Sequence, residues 1–271
     1  MNTPKHAIIT GGSSGIGLAI AHRLAAQGAS LSIIARTPEK LDAARVQLEA
    51  KRRLPDQRVL TFAADVADRA QVESAVQGAI AQLGPPDWLV TCAGIARPGE
   101  FLELPIEVFE RTMAVNYFGT LYCIRAALPA MEQQKRGQIV CVSSGAGLVG
   151  LYGYTAYSSS KFALRGLAEA LRGELKPKGI GVSIVYPPDT DTPQLAEENK
   201  TKPLVTQKIT ETAKTWSADG VAEVVLAGVQ RRAFAITPGF EMGVLNRLHS
   251  VLLPVLSQYF DQITAKVTSS R

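Results

Sequence analysis

The chain has 271 residues, 46% hydrophobic and 20% charged, with a formal net charge of +5. That balance is too apolar for disorder, and with aromatics at 6% and the basic residues scattered it argues against a nucleic-acid surface. Cys92, Cys123 and Cys141 lack C-x-x-C spacing, and His6, His22 and His249 stand far apart, so neither a disulfide framework nor a metal site is expected.

No Pro/Gly/Ser linker divides the chain, so a single α/β domain is expected over 1–236, followed by a carboxyl-terminal extension at 237–271. Residues 1–10 carry no secretory pattern. The uncharged run from Gly137 to Ser160 is long enough for a bilayer but crowded with Gly, Ser and Tyr, so no spanning helix is predicted and the expected location is cytoplasmic. The basic run Arg45, Lys51, Arg52, Arg53 ends a helical pattern and reads as a solvated face.

In chain order, His6 to Thr10 is an apolar strand. It leads into Gly11-Gly-Ser13-Ser14-Gly15-Ile16-Gly17, after which Leu18, Ile20, Ala21, Leu24 and Ala25 recur at helical spacing. Strand, glycine turn and helix together form a phosphate cradle: Gly11 permits the turn, Gly15 lets backbone approach a pyrophosphate, Gly17 allows close packing, and the helix amino terminus offers free N–H groups. The next strand, Ser30 to Ala35, ends in Ala35-Arg36 where an acid would grip the 2′-hydroxyl of NAD. An Arg there suits the 2′-phosphate of NADP, so NADPH is the expected cofactor. Ser13 and Lys40 are candidates for further contacts to that phosphate, though each equally reads as a surface polar residue.

A third strand, Arg58 to Ala64, ends at Asp65-Val66, where Asp65 also reads as a cap for the helix from Asp68. The strand Asp87 to Thr91 is followed by Cys92-Ala93-Gly94, small residues that permit close cofactor approach, with Cys92 expected to pack rather than react. Glu107 to Met131 reads as one long helix containing Asn116, a poor helix former that needs either solvent or a local hydrogen bond. The strand Gln138 to Val142 delivers Ser144 to its carboxyl end. Tyr157 and Lys161, four apart, share one face of the following helix, which places an ammonium where it would lower the phenol's pKa toward working pH. After the strand Ile180 to Tyr186, Pro187 to Pro193 stops any helix, and the polar, weakly helical stretch 193–215 reads as a substrate lid or a plain surface loop.

Together the G-x-x-x-G-x-G loop, Asn116, Ser144, Tyr157 and Lys161 resemble the short-chain dehydrogenase/reductase family. The resemblance implies a doubly wound (Rossmann-type) sheet in the order 3-2-1-4-5-6-7. It makes Tyr157 the proton donor, Ser144 its partner on the ketone oxygen, Lys161 the holder of the ribose, and Asn116 part of a proton relay. Asp65 and Val66 match the adenine-contacting pair, and Pro187 and Thr192 the loop that holds the nicotinamide amide. Thr91, Cys92 and Pro188 depart from the family pattern. Within the family, Pro187 to Pro193, Ala196 to Pro203 and Thr155 to Leu171 resemble the 3-ketodihydrosphingosine reductases, which implies NADPH-dependent reduction of a long-chain 2-amino-3-ketone. A reductase of another hydrophobic ketone and a non-catalytic NADPH-binding module remain open, and a homo-oligomer is expected.

The carboxyl-terminal stretch reads as an amphipathic helix, with Leu245, Leu248, Leu252, Leu256, Tyr259 and Ile263 forming an apolar stripe that rests on a membrane surface or packs in the protein. Pro254 is expected to kink it or start a second helix.

Overall fold

A computed structural model describes residues 3–211 and 213–269. Its frame is a seven-stranded parallel sheet: β1 (His6–Thr10), β2 (Ser30–Ala35), β3 (Val59–Ala63), β4 (Trp88–Thr91), β5 (Gly137–Val142), β6 (Ile180–Val185) and β9 (Ala235–Ile236). The spatial order is β3-β2-β1-β4-β5-β6-β9, as the resemblance implies. The central strands are covered on both faces, so β1 and β4 are buried at every residue and read as apolar runs rather than alternations. On one face pack α1 (Gly15–Ala26), α2 (Pro38–Glu49) and α9 (Ala218–Gln230), through Ile20, Leu24, Leu48 and Val225. On the other lie α3 (Arg69–Leu83), α5 (Gly119–Gln133) and α6 (Thr155–Leu175), through Val76, Ile124, Met131 and Ala168. The chain reverses direction across the sheet between β1 and β4, and ligands bind at such a point, beyond the strands' carboxyl ends.

The helix expected over Glu107 to Met131 is interrupted. Regular turns at α4 (Ile106–Met113) and α5 flank a π-helical segment, Ala114–Phe118, that carries Asn116. The wider turn follows from what Asn116 must do: its amide grips the backbone at Ile95 in both directions, and π-turns occur where such local demands override regular bonding. Asp68, not Asp65, caps α3, accepting from the Gln71 N–H at 3.1 Å. The basic run after α2 is solvated, with Arg45 paired to Glu49 at 3.5 Å. His6 is a satisfied core residue, its ring nitrogens 2.8 Å from the Gly84 carbonyl and 2.9 Å from the Ser32 hydroxyl.

Beyond β6 the loop forms a feature the sequence did not announce. β7 (Thr190–Asp191) pairs in parallel with β8 (Trp216–Ser217), and between them run α7 (Pro193–Thr201) and α8 (Leu204–Thr210). The carboxyl-terminal stretch is one helix, α10 (Phe240–Thr268), which Pro254 does not divide. Proline leaves the Ser250 carbonyl without its helical partner, but Ser250 is exposed, so the missing bond falls at the solvent face. No residue of α10 is fully buried. Leu245, Leu252, Leu256 and Ile263 of the expected stripe are half-buried, but Leu248 and Tyr259 are exposed, each 47% accessible, and belong to an outer apolar stripe with Val251 and Val255.

Candidate active site

Gly11 and Gly15 adopt φ of +65° and +53°, the left-handed region that glycine enters without steric cost. A Cβ at Gly11 would come 2.8 Å from the Ala93 Cα, and one at Gly17 would come 2.4 Å from the Gly11 carbonyl oxygen. The loop, the start of α1 and the turn after β4 are thus packed backbone on backbone. Ser14 caps α1 without using its side chain, and the first turn holds no acidic residue, so its N–H groups and dipole present an unopposed anion site. The turn after β4 is fastened to the end of β1. Thr10 supplies its carbonyl to the Cys92 N–H at 3.2 Å and its hydroxyl to the Ala93 N–H at 3.3 Å. Burial pushes the Cys92 thiol up to about 11, so it packs and does not act as a nucleophile.

Arg36 and Lys40 stand exposed at the end of β2 and the start of α2, and neither joins an ion pair among the described residues. Burial works against the Asp65 carboxylate, but the Arg111 guanidinium, the Ala67 N–H and Arg36 outweigh it and hold Asp65 below its ordinary range. That carboxylate stays ionised and oriented.

β5 carries Ser143 and Ser144 out of the sheet. The Ser143 hydroxyl donates to the Lys161 carbonyl at 3.1 Å, tying strand to helix, while Ser144 accepts from the Ala146 N–H at 3.2 Å. α6 turns Tyr157 and Lys161 inward, 8% and 4% exposed. Ser144 and Gln194 are the polar side chains that favour the ionised form of the Tyr157 hydroxyl. The Lys161 ammonium donates to the Val142 carbonyl at 3.0 Å and lies 5.4 Å from the centre of the Tyr157 ring. Asn116 is fully buried behind them. Its oxygen accepts from the Ile95 N–H at 2.9 Å, and its amide donates to the Ile95 carbonyl at 3.0 Å and to the Ser160 hydroxyl at 2.9 Å.

The expected lowering of the Tyr157 pKa by Lys161 is not what this arrangement produces. Burial first, then the negative charge of Glu198, raise the Tyr157 hydroxyl above its usual value, and the neighbouring Ser144 and Gln194 only partly offset them. Burial brings Lys161 down to about 8. The lysine faces the ring and a backbone carbonyl rather than the phenol oxygen, so its charge is not spent on the phenolate. A tyrosine held neutral is the state a proton donor requires.

These residues line one continuous cavity of about 730 Å³. Of the candidate catalytic and cofactor-binding residues singled out in the sequence, all but Gly17 and Asn116 reach its wall; Gly17 packs beneath the loop and Asn116 sits behind Lys161. Thr192 caps α7, accepting from the Leu195 N–H at 3.3 Å, and its methyl lies against Gly15. The Pro187 carbonyl accepts from the Gly145 N–H at 3.0 Å, joining the two loops that bracket the site. Among the wall residues the sequence reading passed over, Tyr154, Gln194 and Glu198 form a polar cluster. Tyr154 donates to Glu198 at 2.7 Å, and Gln194 donates to Glu198 at 2.9 Å. The signal was present as a Gln194-to-Glu198 spacing of one helical turn, but only the tertiary fold shows that this face of α7 points inward. Outward from Tyr157 the cavity is walled by Leu245, Leu252, Leu256 and Phe260 of α10.

The cradle of left-handed glycines, the open amino terminus of α1 and the small Ala93-Gly94 turn fit a nicotinamide dinucleotide. A Cβ at Gly94 would stand 3.5 Å from the Lys161 ammonium and 3.4 Å from Asn116 Oδ1, so the glycine keeps the lysine reachable. Residues 5–203 match the family model of the short chain dehydrogenases. The chain belongs to that family. It is 45% identical over 253 residues to the 3-ketodihydrosphingosine reductase of Bos taurus and 46% identical to the 3-dehydrosphinganine reductase of Danio rerio, in both cases over 93% of this chain and 76% of the relative. A Dictyostelium discoideum 3-ketodihydrosphingosine reductase is 37% identical over 97% of this chain and 83% of its own length. Among solved structures, levodione reductase superposes with a TM-score of 0.79 at 26% identity, covering 88% of this chain and 98% of its own. A short-chain dehydrogenase/reductase from Burkholderia phymatum in complex with NAD, 24% identical over 94% of this chain and 95% of its own, shares the fold with a TM-score of 0.82. Among the described residues no helix is long and apolar enough to cross a membrane.

Proposed function

We propose that this chain reduces 3-ketodihydrosphingosine, a long-chain 2-amino-3-ketone, to sphinganine with NADPH. The observation that carries the reading is the buried Tyr157, sharing with Ser144 and Lys161 a cavity that is also walled by the apolar Leu245, Leu252, Leu256 and Phe260. The names of relatives at 45–46% identity supply the substrate. A bound NADPH supplies the hydride. Tyr157 donates its proton to the ketone oxygen as negative charge develops there, and Ser144 hydrogen-bonds that oxygen. Lys161 holds the ribose. Asn116 fixes the loop at Ile95 against α6 and stands behind Lys161 as the route by which protons are resupplied. Arg36, with Lys40 and Ser13 beside it, selects the 2′-phosphate, and Ala35 leaves no carboxylate to oppose it.

In this reading α7 and α8, within 193–215, are the lid. The segment 237–271 forms the lipid entrance and rests by its outer stripe on a membrane surface of the cytoplasmic side, and the enzyme works as a homo-oligomer. Incubating the protein with NADPH and a panel of 3-keto lipids, steroid ketones and acyl ketones, while following loss of reduced-nicotinamide absorbance, tests it. The highest kcat/KM is expected for the long-chain amino ketone. Faster reduction of short hydrophilic ketones or steroids moves the assignment to a reductase of another ketone, and no turnover with intact NADPH binding leaves a binding module.

A further inference from the structure

Glu198 is 8% exposed, yet it joins no ion pair among the described residues. Its carboxylate accepts two neutral hydrogen bonds, Oε2 from the Tyr154 hydroxyl at 2.7 Å and Oε1 from Gln194 Nε2 at 2.9 Å. Each oxygen retains acceptor capacity. A buried carboxylate left without a cation is costly, and the usual solution is a paired positive charge. The lid's Lys200 and Lys208 pair instead with Glu197 at 2.6 Å and Glu211 at 3.1 Å. Lys161 feels the Glu198 charge, but its ammonium donates to the Val142 carbonyl.

The position of Glu198 is as informative as its missing partner. It lines the same cavity as Tyr157 and Gln194, Gln194 donates to it, and its charge acts on the Tyr157 hydroxyl. Tyr154 and Tyr157 have ring centres 5.7 Å apart, so the Tyr154 hydroxyl holds the carboxylate beside the proton donor. In a 2-amino-3-ketone the ammonium sits on the carbon adjoining the carbonyl. A site for it therefore needs an anion close to the group that protonates the ketone.

We infer that Glu198, steadied by Gln194 and Tyr154, receives the 2-ammonium group of the substrate and is the residue that selects an amino ketone over a plain ketone. This rests on the amino-ketone reading above. It also gives the lid a reason to close on the right molecule, since the ammonium supplies the cation that the buried carboxylate lacks. A merely structural Glu198, tying α7 to α6 through Tyr154, would affect every ketone alike.

The test compares kcat/KM for 3-ketodihydrosphingosine and for the long-chain 3-ketone of equal length lacking the amino group, in the wild type and in Glu198→Gln, with nicotinamide fluorescence on NADPH binding as the readout of folding. The wild type is expected to favour the amino ketone. In Glu198→Gln the preference should fall by about 30-fold or more, mainly through KM, as for truncating one partner of a buried charge pair. An unchanged preference in a variant that still binds NADPH overturns the inference while leaving the proposed function standing. A wild type that reduces the plain ketone and not the amino ketone overturns the substrate reading itself. Should the variant fail to fold, inhibition of the wild type by a long-chain primary amine and by the matching alcohol decides: the amine is expected to bind at least about tenfold tighter, and equal inhibition rejects the ammonium site.

Discussion

The two ends of the cavity are built by different means. The nucleotide end is made of backbone: the Gly11 to Gly17 loop, the start of α1 and the Ala93-Gly94 turn, set on strands with no exposed residues. The substrate end is made of side chains from α6, α7 and α10, segments distant in sequence, and α10 contributes no fully buried residue. In the proposed function the first end binds a fixed cofactor, and its close backbone packing tolerates little change. The second is held by a few hydrogen bonds and apolar contacts, which suits an element that must admit a lipid, since low local stability accompanies such motion.

The sharpest division between the ends lies at Tyr157. Replacing it with Phe removes the proposed proton donor and leaves the glycine loop untouched, so turnover should fall by about 10³-fold or more while NADPH affinity, read by fluorescence titration, stays within about twofold. Substantial retained activity would remove Tyr157 from the chemistry.

At the nucleotide end, Ala35→Asp combined with Arg36→Leu places a carboxylate where the ribose 2′ position is expected and removes the guanidinium. The ratio of kcat/KM for NADPH over NADH should drop by about 100-fold. An unchanged ratio would show that neither residue reaches that group.

Ending the chain after Gly239 deletes the apolar wall contributed by Leu245, Leu252, Leu256 and Phe260 but no fully buried core. KM for the long-chain ketone should rise about tenfold, with a shift in Tm of only a few degrees. Flotation with anionic liposomes separates the two stripes of α10. Loss of lipid binding on truncation assigns the outer stripe of Leu248, Val251, Val255 and Tyr259 to a membrane surface, and equal recovery in the lipid fraction rejects that role.

The smallest effect is a pH dependence of stability. Lys161, brought down to about 8 by burial, carries a desolvated charge in the folded protein below that pH, whereas the unfolded chain keeps the ordinary lysine value of 10.5. Between about pH 8 and 10.5 the unfolded state therefore binds more protons, and this residue's contribution to stability rises with pH. The thiols of Cys92, Cys123 and Cys141, raised by burial to about 11, 12 and 11, act in the opposite sense above pH 9, so the effect is best read as a difference. The urea midpoint of Lys161→Met should exceed that of the wild type at pH 7, and the gap should narrow as the pH rises through 8 and beyond. A constant gap would mean that Lys161 is not desolvated.

The strands, the crossover order and the nucleotide cradle were legible in the chain because each depends on local chemistry: buried parallel strands need continuous apolar runs, and a left-handed turn packed on another backbone needs glycine. Ser144, Tyr157 and Lys161 were legible for a related reason, since a strand end and one helical turn fix their mutual placement. Tertiary structure decided the rest. The π-turn at Asn116 depends on the backbone at Ile95, twenty-one residues away. The protonation of Tyr157 depends on burial and on the Glu198 charge, which no spacing rule reports. The inward face of α7 and the division of α10 into an inner and an outer stripe follow from how those helices lie across the cavity. Amphipathic spacing tells that a helix has faces, but the neighbours it meets determine which face is covered and what a carboxylate on it can hold.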